Sequence, residues 1–337
     1  MTRRSISIRD VAASAGVSVA TVSRTLNSPA QVAASTRQAV LEAIRQTGYA
    51  ANEAARNLRQ RRTGAVVALV PNIANQFFSE ILAGIAEVMW PAGYNLLIAD
   101  TEADGQRPHR LPYIDSNRAD GVILFDGAVP AEKVSSAAGR RAPPVVMACE
   151  WLPGLSLPQV RIDNVEGARL AVAYLAELGH RRIGHVSGPA ANVLTRARME
   201  GWCAVLDGCG LPRPEEWLFS GDFTLDAGMI AARRWLALDE RPTAVFCSSD
   251  TMACGFIGAL ARAGVAVPDD VSVVGFDDID LAAHLHPALT TVHQPRRRIG
   301  TAAAEALLTL MAGGKLTNTD TVLPVELTVR ASAKPPR

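Results

Sequence analysis

The sequence predicts an α/β protein in which a three-helix headpiece precedes a core of two doubly wound α/β subdomains. Three observations support this prediction. Short helix-like runs with a tight turn fill the first 48 residues, basic residues are concentrated before residue 63, and short apolar runs then alternate with helical stretches. We expect a DNA-binding headpiece over 1–48, a hinge helix over 49–62 and a ligand-binding and dimerisation core over 63–337.

The composition excludes several classes of protein. Hydrophobic residues make up 48% of the chain and charged residues 20%, which is ordinary for a globular protein. No run approaches the roughly 20 apolar residues of a membrane helix, and the basic N-terminus lacks the apolar stretch of a signal peptide. The five cysteines form no C-x-x-C pair and the six histidines are scattered. We therefore expect a cytoplasmic protein with no membrane partner, no metal and no cofactor.

The net charge of +1 conceals an asymmetry between the two parts of the chain. Residues 1–62 contain ten Lys or Arg residues and three acidic residues, whereas residues 63–337 contain 24 basic and 30 acidic residues. A small basic segment joined to a mildly acidic body predicts that the N-terminal part binds a polyanion.

The first helix is predicted to begin after Ser7 and to end at Gly16, which suits the left-handed residue that follows a helix. Ser18 is placed to cap a second helix. A third helix is predicted from Ser35, where Gln38 completes a capping-box pattern, to Gly48. The tight turn between the first two helices is typical of a helix-turn-helix unit, and an ordinary three-helix packing motif is the alternative.

The second helix has the residue types of a DNA-recognition helix. Val22 and Leu26, four residues apart, are predicted to face inward. Arg24 can contact a guanine with two hydrogen bonds, while Val19 and Ala20 can touch a thymine methyl group. The residues suited to phosphate contacts are Thr21, Ser23 and Asn27.

The segment 49–62 is basic and has high helix propensity, but it is long enough for only a few turns. Such a helix is marginal alone and could be ordered by DNA and a second copy of the chain. Leu58 is its single large aliphatic side chain, and a leucine inserted between base pairs kinks the duplex. A plain basic linker is the alternative.

From residue 65 onward the pattern predicts parallel sheets covered by helices. The predicted strands of the first sheet are AVVALVP, YNLLIAD, DGVILF and PPVVMA, and those of the second are HRRIGHVSG, TAVFCSSD and VSVVGFDD. Helices are predicted over 77–90, 165–178, 198–208, 225–238 and 251–263. We expect an N-subdomain of about 63–160 plus 293–322 and a C-subdomain of about 161–292 plus 323–337.

Ligands of open α/β sheets bind beyond the carboxyl ends of the strands, so the loops after the apolar runs supply the candidate binding residues. These loops contain aromatic rings, carboxylates and arginines, which suit a sugar or a nucleoside. For Asp250 a helix cap is the alternative, and for the two adjacent phenylalanines it is the core. The candidates are Phe77, Phe78, Glu150, Trp151, Arg196, Arg198, Phe223, Asp250 and Asp277.

The string IRDVAASAGVSVATVSRTLN, followed by the GY, N and A-x-x-L elements of residues 48–58, closely resembles the start of LacI/GalR-family transcriptional regulators. The resemblance covers essentially the whole chain and implies a periplasmic-binding-protein-like core. It also implies that Val19, Ala20 and Arg24 read bases and that Leu58 enters the minor groove. The DNA-contacting set that follows is Ser18, Val19, Ala20, Thr21, Ser23, Arg24, Asn27, Tyr49, Asn52, Ala55 and Leu58.

The resemblance implies a homodimeric repressor that binds a pseudo-palindromic operator under the control of a small effector. The segments VMACEWLPGLSLPQVRIDN and GDFTLDAG resemble the cytidine-repressor branch of the family, which implies a nucleoside effector. Pro108 and Pro112 depart from the family pattern because they fall where a helix is expected.

The alternative function is a regulator of the same family that responds to a free sugar or another small metabolite. A solute-binding protein would need a signal peptide and no headpiece. An enzyme is not expected, since the sequence has no G-x-S-x-G element, no Walker loop and no G-x-G-x-x-G after a strand.

Overall fold

The computed structural model describes residues 6–49, 62–101, 112–115, 118–135 and 142–337. The chain divides into two compact units, Met1–Thr63 and Gly64–Arg337. Of the residues expected to contact DNA, Asn52, Ala55 and Leu58 lie outside the described residues. Within the described ranges, no helix combines the length and the apolar character needed to cross a membrane.

The first unit contains the three helices that the sequence predicts. They are α1 (Ile8–Ser14), α2 (Val19–Asn27) and α3 (Ala34–Thr47). The backbone amide and hydroxyl of Ser7 both donate to the Asp10 carboxylate at 2.8 Å, and Gly16 follows α1 with φ of +65°. Helix α3 begins at Ala34, one residue earlier than predicted. Its N-cap residue is Ala33, which makes no side-chain hydrogen bond to the helix. The capping box expected at Ser35 is therefore not formed.

A small apolar core joins these three helices. Val22 of α2 is fully buried, as predicted, whereas Leu26 is half-buried and packs at the edge of the core. Tyr49 also packs against this cluster. The fully enclosed members are Val11, Ala12, Val22, Val40 and Ala43.

The second unit contains two six-stranded sheets, and the first is parallel throughout. Its strand order is β11-β5-β4-β3-β1-β2. The strands are β1 (Ala65–Val70), β2 (Asn95–Asp100), β3 (Gly121–Leu124), β4 (Val145–Ala148), β5 (Gln159–Ile162) and β11 (Asp320–Leu323).

The second sheet has the order β12-β10-β9-β8-β6-β7, and only the β10–β12 pair is antiparallel. The strands are β6 (Ile183–Ser187), β7 (Leu218–Ser220), β8 (Ala244–Cys247), β9 (Ser272–Asp277), β10 (Thr290–His293) and β12 (Glu326–Thr328). The two parallel sheets predicted from strand–helix alternation are thus confirmed, with one antiparallel edge strand added.

Helices cover both faces of these sheets. They are α4 (Phe78–Met89), α5 (Pro112–Asp115), α6 (Ala131–Ser135), α7 (Asn164–Glu177), α8 (Val193–Gly208), α9 (Leu225–Leu236), α10 (Asp250–Arg262) and α11 (Arg296–Met311). Helix α8 begins five residues before the predicted start at 198. Pro112 is the first described residue of α5, and Pro108 lies outside the described residues.

Strand β1 shows why both faces of the sheet must be covered. All six of its residues are buried, and successive side chains point to opposite faces. Val66 and Ala68 join one core cluster, while Val67 and Leu69 join another on the opposite face.

The chain crosses between the two sheets three times. It passes from β5 to α7 at residue 163, from β10 to α11 at residues 294–295, and from β11 to β12 at residues 324–325. We call the part built on the first sheet lobe 1 and the part built on the second sheet lobe 2. Helix α11 packs against α4 and therefore belongs to lobe 1.

The second lobe packs helices α9 and α10 at glycines. A Cβ atom on Gly228 would lie 2.0 Å from the Met252 carbonyl oxygen, and one on Gly255 would lie 2.0 Å from the Leu225 carbonyl oxygen. In contrast, a Cβ on Gly258, also in α10, would have only a flexible Arg262 nitrogen within 4 Å, at 3.8 Å. Only the first two glycines are required by the close approach of the helices.

We expect Gly255→Ala and Gly258→Ala to have opposite effects on the free energy of unfolding. Alanine at 258 should stabilise the core by up to about 1 kcal/mol because it favours the helix. Alanine at 255 should destabilise it by about 1–3 kcal/mol, since the backbone of α9 cannot yield without cost. Urea denaturation followed by circular dichroism measures both. Equal effects would show that the helices do not approach as described.

Candidate functional site

Helix α2 exposes the residues expected to read DNA. The Ser18 hydroxyl accepts a hydrogen bond from the Thr21 amide at 3.1 Å and so caps the helix. Val19 is 41% exposed, and Ala20 and Arg24 are also exposed. This surface carries one cation and small side chains, and it is free of large aromatic residues.

The opposite side of α2 faces the headpiece core. Thr25, which sequence reasoning left unassigned, is buried, and its hydroxyl donates to the Thr21 carbonyl at 2.9 Å. Thr21 and Ser23 are half-buried on the flanks of the helix. The backbone of Asn27 ends α2. The arrangement has the features of a recognition helix, namely a buried apolar stripe and an exposed polar one.

A cavity of about 310 Å³ lies in the second unit where strand ends of lobe 1 and lobe 2 meet. The loops that line it follow β1, β3 and β4 in lobe 1, and β6, β7, β8 and β9 in lobe 2. It therefore lies at the carboxyl ends of parallel strands, where the sequence analysis places the ligand. Its lining residues are Pro71, Asn72, Asn75, Phe77, Phe78, Phe125, Asp126, Ala128, Cys149, Glu150, Pro189, Ala191, Asn192, Leu194, Arg198, Asp222, Phe223, Thr224, Ser249 and Asp277.

The structure brings most of the candidate effector residues together at this cavity but excludes three. The six that line it are Phe77, Phe78, Glu150, Arg198, Phe223 and Asp277. Trp151, Arg196 and Asp250 do not line it.

Arg196 and Arg198 cannot both face the cavity because they lie two residues apart on one helix. Successive helical residues are turned by about 100°, so side chains two apart point to nearly opposite sides. Arg198 is 2% exposed and faces inward, whereas Arg196 is exposed and its guanidinium donates to the Ala191 carbonyl at 2.9 Å. Because α8 begins at Val193, both arginines lie within the helix, and their side chains must point to different sides of it.

Trp151 and Asp250 point away from the cavity for different reasons. The Trp151 ring lies under the Arg161 guanidinium, whose central carbon is 5.7 Å from the ring centre. The wholly buried Asp250 carboxylate accepts hydrogen bonds from the Ile279 amide at 2.9 Å and the Thr291 hydroxyl at 2.6 Å. Asp250 is also not the helix cap, because the hydroxyl of the preceding Ser249 accepts from the Met252 amide.

Sequence reasoning missed Asn192 and Asp126. Asn192 caps α8 through hydrogen bonds from the Leu194 and Thr195 amides, a pattern that the string NVLT could have signalled. Asp126 follows the third apolar run, and its carboxylate accepts from the Thr101 hydroxyl at 2.6 Å. Both belong to loops directly after a strand.

Aromatic rings form the apolar part of the cavity. Phe77 and Phe78 meet edge to face with their centres 5.2 Å apart, and Phe78 meets Phe125 in the same manner at 5.5 Å. Phe223 lines the cavity from lobe 2. Aromatic residues from both lobes can therefore contact a flat ring bound between them.

Arg198 is the one cation that the described part of the chain contributes to the cavity lining, and it is held from several sides. Its Nε donates to the Asn164 side-chain oxygen at 2.9 Å, and Nη1 donates to the Ser248 carbonyl and lies 3.8 Å from an Asp277 oxygen. Its guanidinium also lies over the Phe276 ring at 3.8 Å. Burial raises the pKa of Asp277, and the nearby Arg198 guanidinium opposes that rise.

Glu150 links the two lobes across the cavity. Its carboxylate accepts from the Gly127 amide of lobe 1 at 2.7 Å and from the Asn192 side-chain amide of lobe 2 at 2.8 Å. Burial raises the pKa of Glu150 to about 7, although these two hydrogen bonds favour the ionised form. Glu150 therefore changes its charge near neutral pH.

Backbone strain is concentrated at the same place. Among the described residues, four that are not glycine have positive φ, and three of them, Cys149, Phe223 and Asp277, line the cavity. The fourth, Asp278, follows directly. Such conformations cost energy and persist where surrounding contacts hold them, often at ligand sites. No cluster of three His, Cys, Asp or Glu residues within the described part of the chain is arranged to hold a metal ion.

Comparison with known proteins matches both units. Residues 7–52 match the model of bacterial regulatory proteins of the lacI family, and residues 172–333 match the periplasmic binding protein-like domain. The HTH-type transcriptional repressor CytR of Escherichia coli (strain K12) is 39% identical over 328 residues, which cover 97% of this chain and 96% of that protein. The chain belongs to the lacI family of bacterial regulatory proteins. It is a DNA-binding transcriptional regulator controlled by a small effector, and its relatives in the lacI family are repressors rather than enzymes.

Solved structures of transcriptional regulators share the fold. The lac repressor dimer bound to operator and the anti-inducer ONPF has a TM-score of 0.84 and 28% identity, and the match covers 98% of this chain and 100% of that one. A complex of the transcriptional regulator CelR with cellobiose has a TM-score of 0.73 and 33% identity, and the match covers 97% of this chain and 99% of that one. The α/β architecture predicted from the sequence is confirmed.

We expect Glu150→Gln to reduce the pH dependence of stability. The pKa of Glu150 in the folded chain, about 7, lies above the ordinary value of 4.5, so the folded state binds the proton more tightly. Protonation of Glu150 therefore adds up to about 3 kcal/mol to the free energy of unfolding. This contribution is fully present below about pH 4.5 and is lost as the pH rises through about 7. Melting temperatures measured from pH 5 to 8.5 should fall less steeply in the variant.

Glu200→Gln is the matched control, since Glu200 is exposed on α8. It should retain the pH slope of the wild type. A slope that is the same in wild type and Glu150→Gln would show that Glu150 does not titrate in this range.

Proposed function

We propose that this chain is a homodimeric repressor that binds a pseudo-palindromic operator and is controlled by an unphosphorylated nucleoside. One observation carries the effector class: the described residues that line the cavity combine aromatic rings from both lobes with four carboxylates and a single guanidinium. We also propose that the protein acts in the cytoplasm. The predicted N-subdomain (about 63–160 plus 293–322) and C-subdomain (about 161–292 plus 323–337) would then correspond approximately to lobe 1 and lobe 2.

The DNA-binding proposal rests on helix α2 and on symmetry. Each chain offers one recognition helix, and two related helices are needed to read both halves of a palindrome. The lac repressor, a structural relative, is described as a dimer bound to operator. We propose that Val19, Ala20 and Arg24 contact base edges and that the remaining residues of the DNA-contacting set hold phosphates or the operator centre.

We expect Arg24→Ala to weaken operator binding by about 1–3 kcal/mol and to relax the preference at one base pair in each half-site. The reason is the loss of a two-hydrogen-bond contact with guanine. The operator can be selected from random DNA with the wild-type chain and then titrated by band shift. Arg45→Ala is the control, because Arg45 is exposed on α3 and pairs with Glu42 at 2.7 Å. Unchanged affinity and preference in Arg24→Ala would remove Arg24 from base reading.

The charges of the cavity favour a neutral ligand over an anionic one. Among the described residues, Asp126, Glu150, Asp222 and Asp277 line it, and the one lining cation, Arg198, is already compensated by protein groups. A phosphate group placed there would meet carboxylates without a free cation, which is costly in a buried site. Ribose hydroxyls, in contrast, can donate to those carboxylates, while the aromatic rings contact the base.

Thermal-shift measurements on the full chain test the effector class. Cytidine should raise the melting temperature, since a ligand at a hundred times its dissociation constant adds about 2.7 kcal/mol. Cytidine monophosphate should have a smaller effect at equal concentration. Asp277→Ala should weaken cytidine binding by about 1–3 kcal/mol, because a buried hydrogen bond to a charged group is lost. An equal response to cytidine and its monophosphate would contradict the charge argument.

A free sugar is the second candidate effector. The CelR structure contains cellobiose, and a cavity with carboxylates and aromatic rings also suits a saccharide. A thermal shift produced by cellobiose or ribose, and by none of the nucleosides, would favour this candidate. The assignment as a regulator would stand in either case.

A further inference from the structure

Two of the three segments that cross between the lobes begin or end at a buried amide side chain. Asn164 is the first residue of α7, directly after the crossing at residue 163, and it is 3% exposed. Gln294 follows β10 at the second crossing and is 2% exposed. Buried amides of this kind must be hydrogen-bonded, and their partners decide what the crossings can sense.

The partner of Asn164 is a residue of the ligand cavity. Its side-chain oxygen accepts from Arg198 Nε at 2.9 Å, and its side-chain nitrogen donates to the Ile162 carbonyl at 3.4 Å. Ile162 is the last residue of β5 in lobe 1. Asn164 thus joins the cavity guanidinium to the end of the strand that leads into the first crossing.

The partner of Gln294 is Asp277, a carboxylate of the cavity lining. Its side-chain nitrogen donates to Asp277 Oδ1 at 2.8 Å. The same Asp277 oxygen lies 3.8 Å from Arg198 Nη1. The four side chains therefore form one buried chain of contacts, in the order Asn164, Arg198, Asp277 and Gln294.

The turn that contains Asp277 also holds both flanks of the second crossing. His293 Nδ1 lies 2.9 Å from an Asp278 carboxylate oxygen. The Arg296 guanidinium donates to the Asp280 carboxylate at 3.0 Å. Residues on each side of Gln294 therefore contact this turn directly.

We propose that Asn164 and Gln294 are positioning residues that couple the Arg198–Asp277 pair of the ligand cavity to two of the crossings between the lobes. A ligand that hydrogen-bonds either charged residue competes with their contacts to the amides. The crossings then adopt a different arrangement, and the angle between the lobes changes. Control of DNA binding through this series of contacts rests on the proposed function, whereas the coupling between the two crossings is a property of the ligand-free protein.

Hydrogen–deuterium exchange of the full-length, ligand-free chain tests the coupling. The substitution Gln294→Met keeps the length of the side chain and removes its hydrogen bond. Breaking a hydrogen bond to a charged group should speed exchange about tenfold at the second crossing, in peptides covering 292–298. The decisive region is the first crossing, in peptides covering 160–166, where exchange should also accelerate.

Thr291→Val is the matched control. The Thr291 hydroxyl donates to Asp250 at 2.6 Å, so the variant also removes a buried hydrogen bond to a carboxylate. Thr291 lies on β10, the strand that precedes Gln294, and outside the series of four contacting residues. In this variant, exchange in peptides 160–166 should accelerate no more than exchange in the rest of lobe 2. Acceleration at 160–166 that is equal in both variants, or absent in Gln294→Met, would overturn the proposal.

Asn164→Leu breaks the same series of contacts at its other end, and it provides the test if Gln294→Met does not fold. It should accelerate exchange in peptides 292–298, and an unchanged rate there would overturn the proposal. The double variant should exchange no faster at either crossing than the single variants do, because residues of one chain act together. Additive effects would mean that the two amides act independently.

Addition of cytidine separates this proposal from the proposed function. In the wild type, saturating cytidine should change exchange at both crossings, and in Gln294→Met the response at 292–298 should be lost. If cytidine alters exchange nowhere in the wild type, the nucleoside assignment fails while the ligand-free comparison still decides the coupling. A response at 292–298 that persists in Gln294→Met contradicts the coupling alone.

Discussion

The charge of Arg198 in the interior of the second unit is the constraint on which the ligand cavity depends. A buried guanidinium must be compensated by nearby acceptors, because the loss of hydration is worth several kcal/mol. The compensation comes from three separate parts of the fold: the Asn164 amide after the first crossing, the Ser248 carbonyl after β8 and the Asp277 carboxylate at the end of β9. Each acceptor holds the end of a different element in place.

The same constraint determines what the cavity can bind. Since the protein itself satisfies Arg198, the remaining lining is rich in acceptors and aromatic surface. Glu150 adds a second link between the lobes through Asn192, and its pKa near neutrality follows from its burial. The site therefore combines a compensated charged pair, which contacts residues at two of the crossings, with a carboxylate that is hydrogen-bonded to both lobes.

Local patterns predicted the elements and selected six candidate residues that the fold brings to one cavity, because strand ends and helix faces can be recognised from neighbouring residues. Phe77, Phe78 and Asp277 follow or end apolar runs, and parallel strands present such ends on one edge of the sheet. Candidates that do not line the cavity lie where a small local shift changes the direction of a side chain. Helix α8 starts at Val193, which turns Arg198 inward and Arg196 outward. The positive φ of Cys149 precedes the turn in which Glu150 faces the cavity and Trp151 packs elsewhere.

The sequence by itself determined the class of protein: a basic headpiece with a capped recognition helix, followed by two sets of buried strands. These properties depend on periodicity, capping and charge, which act over a few residues. Only the tertiary structure decided which side chains meet. Asn164, Arg198, Asp277 and Gln294 are separated by 34, 79 and 17 positions in the sequence, and no local pattern relates them. Their contact follows from the order of the strands and from the need to compensate a buried charge.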